Sequence, residues 1–507
     1  MDVNVEKSRS LFDRPEIVLG AFVLGSMAIW TLQCSLLQRV LGIDIYETIV
    51  WGEQFQWGHS KHPPLSGWLG YFFSWAAGHR DWGLYFGAQL CIGLGVFFTF
   101  LTARQFFDRF RAATAAMLLY FIIFYTPSEM KFCTYLVEIA LAPLAAYLLI
   151  VALRRNKWWQ WVLFGAVCGF GILNKYSFGL IMAGFVIVVL TRKEYLRRLA
   201  SPWPYLALPV FFAVIFPHLK WLYEHDFVCF GHVGGRLDED HSIFMPLFVV
   251  GMALYPVAME AGAVVVALLP GAPRRDGGKW FSLAGWEPCA RNREALHFAG
   301  IITLLPGVVY LTLSLAGTDI ILMWLCSVAS LSGIMVMALC PVQMDGRLLK
   351  RIAVLLAVFI AAIFIGMTAD LLFRTNGRLQ MYPEPVVAEA EKFWREHSRS
   401  GEPIPVVVGG LRFAALVDHY GKTHPPVCDP EDEVMIGLYR ERIRKHGALL
   451  IDSRQSDLEE FLKRCRIGGG PVKVDFRTFK VEARAPFGEQ ESRTYVLGYL
   501  PPGVGIE

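Results

Sequence analysis

The chain has 507 residues, of which 55% are hydrophobic and 18% charged, with 14% aromatic and a formal net charge of +4. Soluble domains carry roughly 25% charged residues, so this balance excludes a disordered or collagenous chain and a small disulfide-stapled fold. It also argues against an ordinary soluble enzyme, and a charge of +4 makes no nucleic-acid-binding field. The composition is that of a polytopic membrane protein.

Stretches long and apolar enough to cross a bilayer need about 20 residues. In chain order they fall at 16–36, 82–103, 112–127, 133–153, 158–173, 177–191, 203–223, 243–269, 296–316, 321–340 and 352–370, about eleven transmembrane helices. The first is too long for a cleavable signal and lacks a small-residue cleavage site. With the N-terminus inside, 21 Lys and Arg fall on the inner side of residues 1–370 and 7 on the outer, which orients the chain by the positive-inside rule. An odd number of spans then puts the C-terminus outside.

The first outer loop, 37–81, is the most informative. It holds Asp44, Glu47, Glu53, His59, Lys61 and His62 among Trp51, Trp57, Trp68 and Trp75. Such a pattern reads as amphipathic helices lying in the interface, where tryptophan is favoured. Asp44 and Glu47 are three apart, so a helix puts both on one face. Pro63-Pro64 makes a rigid stop directly after Lys61 and His62. Lys131, Lys175 and Arg236 are further rare outer cations. Glu138 lies shallow in the fourth span and Glu260 deep in the eighth, where a buried charge implies a partner or a function. The stretch 225–242 reads as a loop that either lids a site, hinged at Gly234-Gly235, or is simply solvated.

Residues 371–507 hold 20 of the 48 Lys and Arg and alternate helical and strand patterns. Helices are expected at 385–397, 411–420, 431–445 and 456–465, and strands at 405–408, 448–451, 472–481 and 494–499. The division is therefore a transmembrane domain over 1–370 and a soluble extracytoplasmic α/β domain over 371–507. The ten cysteines show no zinc spacing. Cys428 and Cys465 stand in the outer tail, where a disulfide is left open.

An acidic residue just after the first span, followed by WG (51–52), QWG (56–58), KHPPL (61–65) and Trp68, resembles the polyprenyl-phosphate-dependent glycosyltransferases of the GT-C class. These are the protein O-mannosyltransferase-like group, glycosyltransferase family 39/83, which includes the lipid A aminoarabinose transferase. The resemblance continues through WWQWVLFGAVCGFGILNKY (158–176), PHLKWLYEHDF (217–227), AEAEKFW (388–394) and VVVGG (406–410). It implies an inverting transfer of a sugar from a polyprenyl-phosphate donor to a glycolipid or lipopolysaccharide, polysaccharide or protein acceptor, on the periplasmic face of a bacterial inner membrane. In that scheme Asp44 is the general base and Glu47 assists it or shares a divalent cation with it. Lys61, His62, Lys131, Lys175 and Arg236 face the donor phosphate, and Trp51, Trp57 and Glu138 line the substrate cavity. One departure is clear. The second outer loop, YTPSEMKFCTYLVE (125–138), has no Asp where many relatives carry a second acid, and Glu129 or Glu138 is the nearest substitute. The reading from a different class is a lipid-linked-sugar flippase or transporter, which would gather polar groups near the bilayer midplane.

Overall fold

The computed structural model describes residues 11–126, 131–235, 242–269, 289–374, 382–398, 401–468 and 470–506. Pro15 opens α1 (Pro15–Leu37), its fixed φ suiting the first helical turn. After a short extended link come α2 (Ile43–Gln54), closed by Phe55 in the left-handed region at φ 53°, and α3 (Leu65–Ala76), which starts directly after Pro63-Pro64. Then follow α4 (Trp82–Ala103), α5 (Arg109–Leu118), α6 (Thr134–Arg155), α7 (Trp158–Asn174), α8 (Phe178–Thr191), the single turn α9 (Lys193–Leu196) and α10 (Ala207–Glu224). The rest of the membrane part is α11 (Val228–Gly235), α12 (Met245–Leu268), α13 (Ala290–Leu315), α14 (Ser332–Leu339) and α15 (Gly346–Phe373).

Among the described residues, seven helices are long and apolar enough to cross a membrane: α1, α4, α6, α10 with the 3-10 turn before it, α12, α13 and α15. The protein is a multi-pass membrane protein. All eleven expected stretches contain helix, but four are shorter than a full span. The stretch 112–127 holds the end of α5 and a 3-10 turn, and 321–340 is a 3-10 segment plus the eight residues of α14. Both are buried against each other; a Cβ on Gly333 would fall 2.1 Å from the Ala115 carbonyl oxygen. Apolar runs of this length fill a protein interior as readily as a bilayer. Glu260 on α12 meets this packing, accepting a hydrogen bond from the Ser332 hydroxyl at 2.9 Å.

The C-terminal region is α/β, as its alternating pattern predicts. Its elements are α16 (Pro383–His397), β1 (Val407–Val408), α17 (Leu411–Tyr420), β2 (Val427–Cys428), α18 (Glu433–His446), β3 (Ala448–Asp452) and α19 (Gln455–Leu462). Then come β4 (Cys465–Ile467), β5 (Gly470–Pro471), β6 (Phe476–Arg484), β7 (Gln490–Leu500) and β8 (Gly505–Ile506). A mixed sheet runs β2-β1-β3-β7-β6, with β1 parallel to β2 and β3 and the β6–β7 hairpin antiparallel to β3 through Ile451↔Leu497. The central strand β3 is buried along its whole length, as a strand covered on both faces must be. A separate small sheet joins β5, β4 and β8. Cys428 and Cys465 are buried free thiols, so no disulfide links them.

This region docks on the end of the membrane part that carries loop 37–81. Asp81, at the start of α4, receives His419 Nε2 at 2.8 Å and the Tyr420 hydroxyl at 3.0 Å from α17. The Ser60 hydroxyl reaches Asp432 at the start of α18 at 2.5 Å, and Phe487 N–H donates to the Leu372 carbonyl at 2.8 Å.

Candidate active site

The helix expected in the first outer loop is present, and it turns Asp44 and Glu47 toward one side as their spacing requires. Each is met by a lysine. Lys131 Nζ lies 3.3 Å from Asp44 Oδ2, and Lys61 Nζ donates to Glu47 Oε1 at 2.7 Å. The Asp44 and Lys61 side chains are each 40% exposed, so both remain open to a ligand. Burial pushes the Glu47 carboxyl up from its ordinary range, against the pull of Lys61, and Asp44 and Asp429 push it the same way. Burial alone would lower Lys61, but Glu47, with Asp429 and Asp432, outweighs it and holds the ammonium more firmly protonated.

A third pair lies deeper. Glu138 on α6 is almost fully buried and faces Lys175, at the end of α7, at 3.7 Å, an ion pair too long to be a hydrogen bond. Cys133, the residue before α6, stands within electrostatic reach of both Asp44 and Lys175, which links the deep pair to the outer one. The structure thus joins three expected acids to three expected cations. None of the three lysines waits alone for an anion.

The loop that carries Lys61 is braced from several sides. His59 N–H donates to the His62 carbonyl at 3.1 Å, closing a tight turn. The His59 ring stacks on Trp51 at 5.2 Å, and His62 meets the same indole edge-on at 5.7 Å. Burial drops His59 to about 3, helped by His62 and His218, so its imidazole is neutral at physiological pH. The Cys229 thiol on α11 donates to the His59 carbonyl at 2.8 Å. Gly58 lies flat against Trp221, with no room for a Cβ, which would fall 2.3 Å from the ring. His218 bridges the Trp57 carbonyl (2.6 Å from Nδ1) and the Tyr176 hydroxyl (2.8 Å from Nε2). Those partners assign its proton to Nδ1.

Trp51 is buried in this brace, whereas Trp57 is 42% exposed and packs edge-on against Trp68 at 4.9 Å. Arg236 and Glu129 lie outside the described residues. The stretch 225–242 is not a plain loop: α11 occupies Val228–Gly235 and ends at Gly234-Gly235. Among the described residues no group of three or more His, Cys, Asp and Glu side chains gathers as a metal site. Asp44 and Glu47, the pair considered for a divalent cation, each meet a lysine.

Residues 61–221 match the family model described as dolichyl-phosphate-mannose-protein mannosyltransferase, so the match begins at Lys61 and ends at Trp221. The resemblance to the GT-C class is borne out. The structure is similar to that of ArnT from Cupriavidus metallidurans bound to undecaprenyl phosphate, at 16% identity and a TM-score of 0.61, covering 95% of this chain and 97% of that one. The apo form of the same protein aligns at 15% identity with the same TM-score of 0.61, over 95% of this chain and 97% of that one. At such identity the likeness shows a shared GT-C fold across nearly the whole chain. No curated protein sequence matches it.

Several residues of this candidate site escape sequence reasoning. His218 and Trp221 sit inside PHLKW, where their spacing marks only the apolar face of a helix. Cys229 carries no signal in the sequence, yet its thiol donates to the His59 carbonyl in the Lys61 loop. Asp432 and Ser60 are polar residues far apart in the chain, with no local signal that they meet.

Proposed function

We propose that the protein transfers a sugar from a polyprenyl-phosphate donor to an acceptor hydroxyl or phosphate on the outer face of a bacterial plasma membrane, with the N-terminus cytoplasmic and the α/β region periplasmic. The observation that carries this reading is the set of three lysine–carboxylate pairs at the end of the membrane part covered by the α/β region. A fold shared with a protein crystallised with undecaprenyl phosphate supports it.

The chemistry follows from those pairs. A departing lipid phosphate needs cations, and an acceptor needs a carboxylate to take its proton. At rest each cation is neutralised by an acid. A donor phosphate arriving at Lys61 and Lys131 competes with Glu47 and Asp44 for the same ammonium groups. Drawing Lys131 toward the phosphate leaves Asp44 without its cation and free to accept the acceptor's proton. The acceptor oxygen then forms its bond to the anomeric carbon as the bond from that carbon to the phosphate oxygen breaks. The electron pair leaves with the polyprenyl phosphate, Asp44 keeps the proton, and a single displacement inverts the centre. His62, beside Lys61 in the braced turn, completes the phosphate side. The buried Glu138–Lys175 pair shapes the inner wall.

The test is direct. Full-length protein in lipid nanodiscs is supplied with polyprenyl-phosphate-linked sugars and total envelope glycolipid, and release of polyprenyl phosphate is followed by mass spectrometry. Acceptor-dependent release with a matching mass gain on the acceptor is expected. Movement of intact donor across the bilayer without cleavage would instead establish the transporter reading.

A further inference from the structure

The loop that presents Lys61 is held from outside the membrane part by one residue of the α/β region. Asp432 is the N-cap of α18: its Oδ1 accepts from the Val434 and Met435 N–H groups at 2.9 and 3.2 Å. Its backbone N–H donates to the Asp429 carbonyl at 3.1 Å, closing the turn before the helix. Both its backbone and one carboxylate oxygen are therefore fixed. The second oxygen, Oδ2, accepts the Ser60 hydroxyl at 2.5 Å. A charged acceptor held this rigidly makes a short, strong and directional contact.

Ser60 adjoins Lys61, and the turn containing both is already closed by His59 N–H to the His62 carbonyl and pinned by Cys229 on one side. The contact to Asp432 pins it on the other. We propose that Asp432 is a positioning residue for the phosphate site: through Ser60 it sets where Lys61 stands, so the α/β region is part of the donor-binding apparatus and not an independent appendage. This rests on the reading of Lys61 as a donor-phosphate contact. Asp432 touches neither donor nor acceptor in this scheme. A lysine displaced by an ångström from its phosphate loses much of its value, which is why a remote brace matters to binding.

The chemistry of the N-cap offers a clean set of variants. Asp432→Ser keeps an oxygen that caps α18, since Ser caps about as well as Asp, but it is too short to serve Ser60 as well. Asp432→Asn keeps both functions, capping with its carbonyl oxygen and meeting Ser60 with its amide, while removing the charge. Ser60→Ala removes the other end of the contact.

The experiment measures the affinity of full-length protein in nanodiscs for undecaprenyl phosphate, with thermal unfolding midpoints measured in parallel. Ser60→Ala and Asp432→Ser are each expected to weaken binding about tenfold. The double variant should lose no more than either single one, because both break the same contact. Asp432→Asn should stay within about threefold of wild type, and unfolding midpoints should not move. In turnover assays the loss should appear in KM for the donor while kcat at saturation is retained. Wild-type affinity in Ser60→Ala and Asp432→Ser, with Lys61→Ala losing binding, would overturn the positioning role and leave the proposed function standing. A loss in Asp432→Asn as large as in Asp432→Ser would also overturn it, by showing that the field of the Asp432 charge on Lys61, and not the contact to Ser60, sets donor affinity. Undiminished binding in Lys61→Ala would remove the donor-phosphate reading and the positioning role together.

Discussion

The Glu138–Lys175 pair shows what an ion costs in the interior of this protein. Both side chains are nearly inaccessible, and their separation of 3.7 Å gives Coulombic attraction without a hydrogen bond. Breaking such a pair by deleting one partner leaves an uncompensated buried charge, at a cost of about 3–5 kcal/mol. Lys175→Met should therefore lower the thermal unfolding midpoint markedly, and adding Glu138→Gln should restore most of it. If the double variant unfolded as early as the single one, the pair would not be the source of the loss. His59 makes a second residue-scale prediction. Its imidazole is buried and sits at about 3, below the ordinary 6.5. The unfolded chain thus binds the proton the folded chain refuses, and the stability present above pH 6.5 is lost as pH falls toward 3. The loss amounts to about 2 kcal/mol by pH 5. In His59→Phe, which keeps a ring against Trp51, that part of the acid sensitivity should vanish from midpoints measured at pH 7 and 5.

At the scale of elements, the short segments around the site are placed by glycines that let neighbours touch. Gly52 on α2 and Gly67 on α3 meet so closely that a Cβ on Gly52 would fall 2.1 Å from the Gly67 carbonyl oxygen. Gly58 does the same for the Lys61 loop against Trp221. Gly58→Ala must therefore push the loop off α10. The overpacking costs roughly 1–3 kcal/mol, and donor affinity should fall along with stability. An alanine variant with normal binding would show that the loop has room the packing does not allow. These close approaches also explain what the sequence could and could not disclose. The helix over Ile43–Gln54, the stop at Pro63-Pro64 and the helix Leu411–Tyr420 follow from local pattern and were legible. The short α5 and α14 were not distinguishable from spans, because hydropathy registers an apolar neighbourhood without saying whether lipid or protein supplies it. The candidate acids and lysines were legible as rare charges near one face. Their pairing was not, since Lys131 and Lys175 come to Asp44 and Glu138 only through the packing of α2, α6 and α7. The bracing contacts of Cys229 and Asp432 are likewise products of tertiary structure alone.

At the scale of the whole molecule, the α/β region and the membrane part share one continuous apolar core that runs from Val18 to Ile506. Asp81 fastens the junction through His419 and Tyr420. Removing its carboxylate leaves the buried His419 ring N–H without its acceptor, a penalty of about 1–3 kcal/mol, and takes the same partner from the half-buried Tyr420 hydroxyl. Asp81→Ala should raise hydrogen exchange along α17 selectively, leaving α12 and α13 protected. Uniform protection as in wild type would mean the docking is held by the apolar core alone. The scarcity of charge in the membrane part gives this arrangement its logic: Asp44, Glu47 and Glu138 each meet a lysine, and in the proposed scheme a phosphate enters by exchange with these carboxylates. The central claim is that Asp44 takes the acceptor's proton after the donor has drawn its lysine away. It is tested most directly by Asp44→Asn in nanodiscs, with undecaprenyl phosphate binding and single-turnover transfer measured on the same preparation. Binding should persist while the transfer rate falls by roughly 10²–10⁴-fold; transfer at the wild-type rate would contradict the account.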